Sequence, residues 1–201
     1  MTSHTAQRLQ MKDLVLAAVF TALYFVICFV VMWLGVVSPL VWMLTPSLDA
    51  LIGGTVFVLY LSKVQKPFAV LVLGAIFVLL WGLLGQWWLP LVIGYAVAVL
   101  CAELTRKSFG YQSVKGMVIS HGFYGLGLFF SSCGTLWFFR EKCIALAQGQ
   151  GFPPEYIAQM QALSQWWVFV LLTVVTFLAG VIGGLIGAKL LRKHFAKAGL
   201  V

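Results

Sequence analysis

Charge is what this chain lacks. Only 9% of its 201 residues are Asp, Glu, Lys or Arg, and just five are acidic: Asp13, Asp49, Glu103, Glu141 and Glu155. About a quarter of an ordinary soluble domain is charged, so a chain that is 62% hydrophobic has lipid rather than water as its solvent. In hydrocarbon each backbone N–H and C=O must be paired within a helix or a closed barrel, and no stretch alternates apolar and polar residues as barrel strands do. The expected class is all-α. The four cysteines, Cys28, Cys101, Cys133 and Cys143, show no CxxC spacing, which removes the common thiol redox and zinc motifs. The first three lie in apolar runs and read as small core residues, while a Cys133–Cys143 disulfide stays open. There is no GxxxxGK[ST], HExxH or GxSxG, and no His/Cys/Asp/Glu set at metal-ligand spacing. No Walker ATP site, metal site, cofactor or catalytic residue is therefore expected. An intramembrane hydrolase built on His121 with Ser120 or Ser131 lacks a partner carboxylate on a defined face.

The charge that is present is ordered. Eleven of the thirteen Lys and Arg residues fall into four clusters: Arg8 and Lys12; Lys63 and Lys66; Arg106, Lys107 and Lys115; Lys189, Arg192, Lys193 and Lys197. Apolar runs separate these clusters in pairs, so six crossings of a bilayer put all four on one face. Arg140 and Lys142 alone reach the other face, balanced by Glu141 and Glu155. Cytoplasmic loops collect Lys and Arg, which predicts both termini inside. The net charge of +8 then belongs to anionic lipid headgroups rather than nucleic acid. The first apolar run, Leu14 to Leu34, is long enough to span and lacks a small-residue cleavage site, so it is expected to remain as a transmembrane helix.

Helices are expected over residues 12–34, 46–61, 67–84, 89–105, 116–139 and 167–191. Thr45, Pro46 and Asp49 make a start signal of capping hydroxyl, first-position proline and first-turn acid, which sets the beginning of the second helix. That choice leaves residues 35–45 as an apolar outer loop folded onto the bundle. Residues 140–165 form the only long polar stretch outside. Within it Pro153-Pro154-Glu155 opens a pattern in which Ile157, Met160, Leu163 and Trp167 recur at helical spacing, as in an interfacial amphipathic helix. These two segments are candidate lids. No internal repeat is evident, against the inverted halves of many secondary transporters.

An acid inside a membrane is a functional hypothesis by default. Glu103 reads as the acid of a local helix ion pair with Arg106 and Lys107. Asp49 reads either as a first-turn acid answering the helix dipole or as a residue facing an outer cavity. Tyr124 shares a helix face with His121, which reads first as a core histidine. Arg140 is an interfacial anchor or the counter-ion of an anionic solute. Seven tryptophans, Trp87 among them, map to the outer end and none to the inner interface. A symmetric aromatic belt predicts both, so an aromatic-rich cavity is expected outside. Asp49, Trp87, Tyr124 and Arg140 are the candidate solute contacts. Ala18 and Ala22 form a small-xxx-small face on the first helix. Gly180 with Gly184, and Gly183 with Gly187, repeat it on the last, where packing within the bundle is expected.

The MKDLVLAAVFTALYFV start, PSLDALIGGTVFVLYLSKV, WFFREK, FPPEYIAQMQAL and the LLRKHFAKAGLV end resemble the substrate-binding S component of an energy-coupling factor (ECF) transporter, and more narrowly the Trep_Strep family. The resemblance covers nearly the whole chain. It implies capture of a micronutrient-like solute in an outward cavity, followed by delivery with a transmembrane coupling protein and two cytosolic ATPases. The Ala-x-x-x-Ala face that meets the coupling protein in that family maps onto Ala18 and Ala22. A stand-alone secondary transporter and an intramembrane enzyme are the rival expectations.

Overall fold

The computed structural model describes residues 8–85 and 89–197, apart from the side chains at 90, 91 and 194–197. Among the described residues it is all-α. The longer helices are α1 (Met11–Met32), α2 (Pro39–Lys63), α3 (Ala69–Leu83), α4 (Leu89–Phe109), α5 (Val114–Ser131) and α9 (Trp166–Lys197). A 3₁₀ turn, Trp33–Val36, joins α1 to α2. Three short helices precede α9: α6 (Thr135–Phe138), α7 (Arg140–Gly149) and α8 (Pro154–Leu163). The segments Met11–Val36, Pro39–Lys63 and Trp166–Lys193 are each long and apolar enough to cross a membrane, and Ala69–Leu83 is a shorter apolar helix.

The six longer helices close a ring in the order α1, α2, α9, α5, α4, α3, and α2 and α5 also touch across it. Its outside is apolar. Val15, Val19, Leu23 and Val26 on α1, and Val174, Leu178, Ile182 and Leu185 on α9, are all exposed. Such continuous aliphatic faces are incompatible with water and match lipid. Inside sit the tyrosines Tyr24, Tyr60, Tyr95 and Tyr124 with Phe57, Leu61 and Leu73, all buried.

Glycine sets how closely the ring closes. A Cβ on Gly187 of α9 would sit 2.8 Å from Thr55 Cα on α2, and one on Gly180 would sit 2.9 Å from Gly122 Cα on α5. Both are backbone-to-backbone approaches that only a residue without a side chain allows. The Ser47 and Thr176 hydroxyls, 2.8 Å apart, link α2 to α9 within the same interface. The α9 glycines therefore pack within the bundle.

At the end carrying the basic clusters, local caps and long-range clamps combine. Gln10 N–H donates to Asp13 Oδ2 (2.7 Å) at the start of α1, and Lys66 pairs with the same oxygen at 2.6 Å. Ser113 Oγ accepts from Gly116 N–H (3.2 Å) to start α5. Glu103 does more than a local pair would. Its two oxygens accept the Phe68 and Val70 N–H groups at 2.7 and 3.1 Å, capping α3, whose preceding residue Phe68 is left-handed (φ 66°) and supplies no side-chain cap. Arg106, fully buried, stands 3.8 Å from Glu103 and donates to the carbonyls of Lys66, Val64 and Tyr111.

The start of α2 corrects the sequence reading. The helix begins at Pro39, with Ser38 Oγ accepting from Val41 N–H (3.3 Å), and runs through Pro46. A proline inside a helix orphans the carbonyl four residues earlier, here that of Trp42. Thr45 Oγ1 donates to that carbonyl at 2.7 Å, so the Thr-Pro pair read as a start is a repaired interior position. Residues 35–45 are thus a 3₁₀ turn and the first turns of α2, not an irregular loop. Residues 116–139 likewise divide. The helix that starts at Val114 ends at Ser131, where the backbone of Ser132 (φ −114°, ψ −104°) leaves helical space, and α6 resumes at Thr135. The stretch 140–165 holds α7 and α8.

Candidate functional site

Opposite the basic end lies a cavity of about 530 Å³. Its depth follows from the continuity of α2. Asp49 is ten residues into the helix, which at 1.5 Å per residue puts it about 15 Å below the start. It is 7% exposed, one carboxylate oxygen has no hydrogen-bond partner, and it borders the cavity. The Cys28 thiol on α1 interacts with its carboxyl and shares the floor.

Beneath the floor the structure is closed. Tyr24 packs edge-on against Tyr124 (centroids 5.3 Å), and Phe77 stacks on Tyr95 (5.4 Å, 15°). His121 Nδ1 is 2.7 Å from the Gly180 carbonyl. A carbonyl only accepts, so Nδ1 carries the proton. In the neutral ring Nε2 then accepts from the Tyr24 hydroxyl at 3.2 Å. Both nitrogens of His121 are engaged, and its ring is stacked with Tyr124 and tilted against Phe57 in a fully buried cluster.

The walls are aromatic and the roof is built from the segments flanking α2 and α9. Phe77 and Trp81, one helical turn apart on α3, form one wall, and Trp33 and Trp42 another. Phe152, Tyr156 and Met160 of the α7–α8 region close over the top. Three hydrogen bonds pin that roof. Tyr156 OH donates to Gly35 O (2.8 Å), Trp137 Nε1 donates to Gln165 O (2.9 Å), and Arg140 Nη2 donates to Gln161 O (3.2 Å). Burial pushes the Tyr156 hydroxyl up to about 12, so it keeps its proton, and with it the bond to Gly35, at neutral pH.

Of the four sequence-derived contacts, the cavity takes in Asp49 only among the described residues. Tyr124 is fully buried in the aromatic cluster below and does not border it. Arg140 is exposed and joins α7 to α8. It does not border the cavity. Trp87 lies outside the described residues. The cavity also takes in Trp81, Phe77 and Cys28, none of them among the sequence-derived contacts. Trp81 was legible as an aromatic four residues after Phe77, one turn from the end of a helix, whereas Cys28 reads as core in any apolar run. Both candidate lid segments border the cavity, through Gly35, Val36 and Trp42 on one side and through α7 and α8 on the other. The four cysteines are free. Cys133 faces the Met43 carbonyl and Cys143 faces Thr135. Ala18 and Ala22 are both exposed on the outer face of α1.

A family model described as "Hypothetical bacterial integral membrane protein (Trep_Strep)" matches residues 11–197. No curated protein and no solved structure matches the chain.

Proposed function

Because the chain belongs to the Trep_Strep family of integral membrane proteins, we propose that it is the substrate-capture (S) subunit of an ECF-type importer. It takes a small solute into the cavity above Asp49 and delivers it together with a separate coupling protein and two cytosolic ATPases. In this reading the chain crosses the bilayer six times with both termini cytoplasmic, which puts the basic clusters inside and the cavity outside. The observation that carries the proposal is the cavity itself. It is a roughly 530 Å³ aromatic chamber, roofed by two short helices, with one buried acid on its floor. Solute sites have this form, a largely apolar lining with a few placed polar groups.

Two further features support it. Ala18 and Ala22 present a small, exposed face on α1 into which a partner helix could pack closely. His121, the residue on which an enzyme reading would rest, has both ring nitrogens engaged within the core. The chain in this reading performs no chemistry on its solute.

The test is a split between capture and coupling. Ala18→Trp or Ala22→Trp fills the small-residue face from outside, at positions that are themselves exposed, so the fold and solute binding survive while co-purification with the coupling protein is lost. Co-purification at the wild-type level in both variants would refute the assignment.

A further inference from the structure

We infer that the solute is a cation with an apolar or aromatic body, held by Asp49; this rests on the capture reading and names the chemical class it serves.

Asp49 is the only charged side chain bordering the cavity among the described residues. It is 7% exposed, and one oxygen lacks any protein partner. A carboxylate removed from water must be paired or suffer a large desolvation penalty. Among the described residues no ion pair to Asp49 is found, and neither Arg140 nor Lys142, the two cations of that end, borders the cavity.

The other polar groups point the same way. Five hydroxyls border the chamber, and each already donates its proton to a backbone carbonyl: Thr45 to Trp42, Ser131 and Ser132 to Leu128, Thr135 to Ser132, and Tyr156 to Gly35. A hydroxyl has one proton and two lone pairs, so what these five have left is acceptor capacity. With the carboxylate, which when ionised only accepts, they make a lining that is poor in donors. The donors that remain are the thiols, the tryptophan N–H groups and the Gln150 amide, an exposed residue. An anion or a pure acceptor would meet a like charge or a second acceptor in Asp49, with only the weakly donating Cys28 thiol on the floor beside it. A protonated amine or similar N–H-bearing cation satisfies both Asp49 and the hydroxyls. Its apolar part rests against Phe77, Trp81, Trp33 and Trp42, whose ring faces attract cations as well.

The experiment titrates the full-length protein in lipid nanodiscs with three probes of one shape: 2-phenylethylamine, 2-phenylethanol and 3-phenylpropanoate, respectively cationic, neutral and anionic at pH 7. The readout is quenching of tryptophan fluorescence, with empty nanodiscs subtracted. The cation should bind at least ~10-fold more tightly than the alcohol, about 1.4 kcal/mol, and the anion more weakly still. Asp49→Asn should shrink the cation's advantage to within about twofold. Equal or reversed ranking overturns the inference and leaves solute capture standing, as does a preference that persists undiminished in Asp49→Asn. A ranking of that kind is what a neutral, donating Asp49 would produce. The wild-type series needs no variant to fold. Should all three probes be silent, mass spectrometry of small molecules released from protein purified out of its native membranes decides. A released cation supports the inference, a released neutral or anionic solute overturns it alone, and no released solute overturns the capture reading and the inference together.

Discussion

Glu103→Gln separates two accounts of the basic end by a wide margin. In the first, Glu103 merely pairs with Arg106 one turn along the same helix, 3.8 Å away. Were that pair on the helix surface, as its spacing alone suggests, removing it would cost about 0.2–0.5 kcal/mol. In the second, Glu103 is the missing cap of α3, taking the Phe68 and Val70 N–H groups on its two oxygens from the neighbouring helix. Glutamine keeps one acceptor and turns an NH₂ toward the other N–H, so one charge-assisted hydrogen bond is lost, worth about 1.5–3 kcal/mol. Arg106, fully buried, also loses its counter-charge. Breaking a buried pair costs about 3–5 kcal/mol when nothing else compensates, but three carbonyls remain on the guanidinium, so only part of that is added. The capping account gives about 2–4 kcal/mol in total, within those limits.

At about 2–4 °C per kcal/mol for a chain of this length, Glu103→Gln should lower the thermal midpoint in nanodiscs by roughly 4–16 °C, against about 0.4–2 °C for a simple surface helix pair. Hydrogen exchange locates the damage. Peptides covering residues 66–72 should exchange faster, because the amides uncapped are those of Phe68 and Val70, while α9 is unchanged. A midpoint within about 2 °C of wild type, with protection of that segment intact, would show that the cap contributes nothing.

Two substitutions probe the core. Gly187→Ala sets propensity against packing: alanine is favoured in a helix by about 1 kcal/mol, but its Cβ would meet Thr55 Cα at 2.8 Å, and overpacking costs about 1–3 kcal/mol. The thermal midpoint should fall, and a rise would mean that α2 and α9 separate without penalty. Tyr24→Phe removes the hydroxyl that serves His121 Nε2 at 3.2 Å, and should destabilise by about 1–2 kcal/mol with an unchanged fold; denaturant or thermal unfolding equal to wild type would contradict the assigned hydrogen bond.

The sequence carried the local features and lost the tertiary ones. The amphipathic segment after Pro153-Pro154 is α8, with Tyr156, Ile157 and Met160 turned inward, because its signal is contained in ten consecutive residues. The start of α2 failed for a physical reason. The chain offers two hydroxyl–proline pairs, Ser38-Pro39 and Thr45-Pro46, and both satisfy the rule for a helix start. Only the structure shows that Thr45 spends its hydroxyl on the Trp42 carbonyl, which makes the second pair an interior device. The error propagated to Asp49, placed in a first turn when it lies about 15 Å down the helix. Arg140 is a different case: its place near the outer end is legible, but whether it borders the cavity depends on how α7 and α8 lie, and no residue spacing encodes that.

The same small-residue signal, read twice in this sequence, has two different fates. On α9, Gly180, Gly183 and Gly187 are consumed by α5 and α2, where backbone meets backbone with no room for a methyl group. On α1, Ala18 and Ala22 occupy the outer face beside Val15, Val19 and Val26, and no helix among the described residues covers them. A helix needs small residues where another backbone must come close. It gains nothing from them against fluid lipid, for which the neighbouring valines and leucines serve as well. Under the proposed capture role this bare face is where a helix of the coupling protein would pack, although the glycine stripe is the louder motif. The capture cavity and this face also lie on different parts of the molecule. Filling one should leave the other working, and a variant that loses partner association and solute affinity together would argue against their separation.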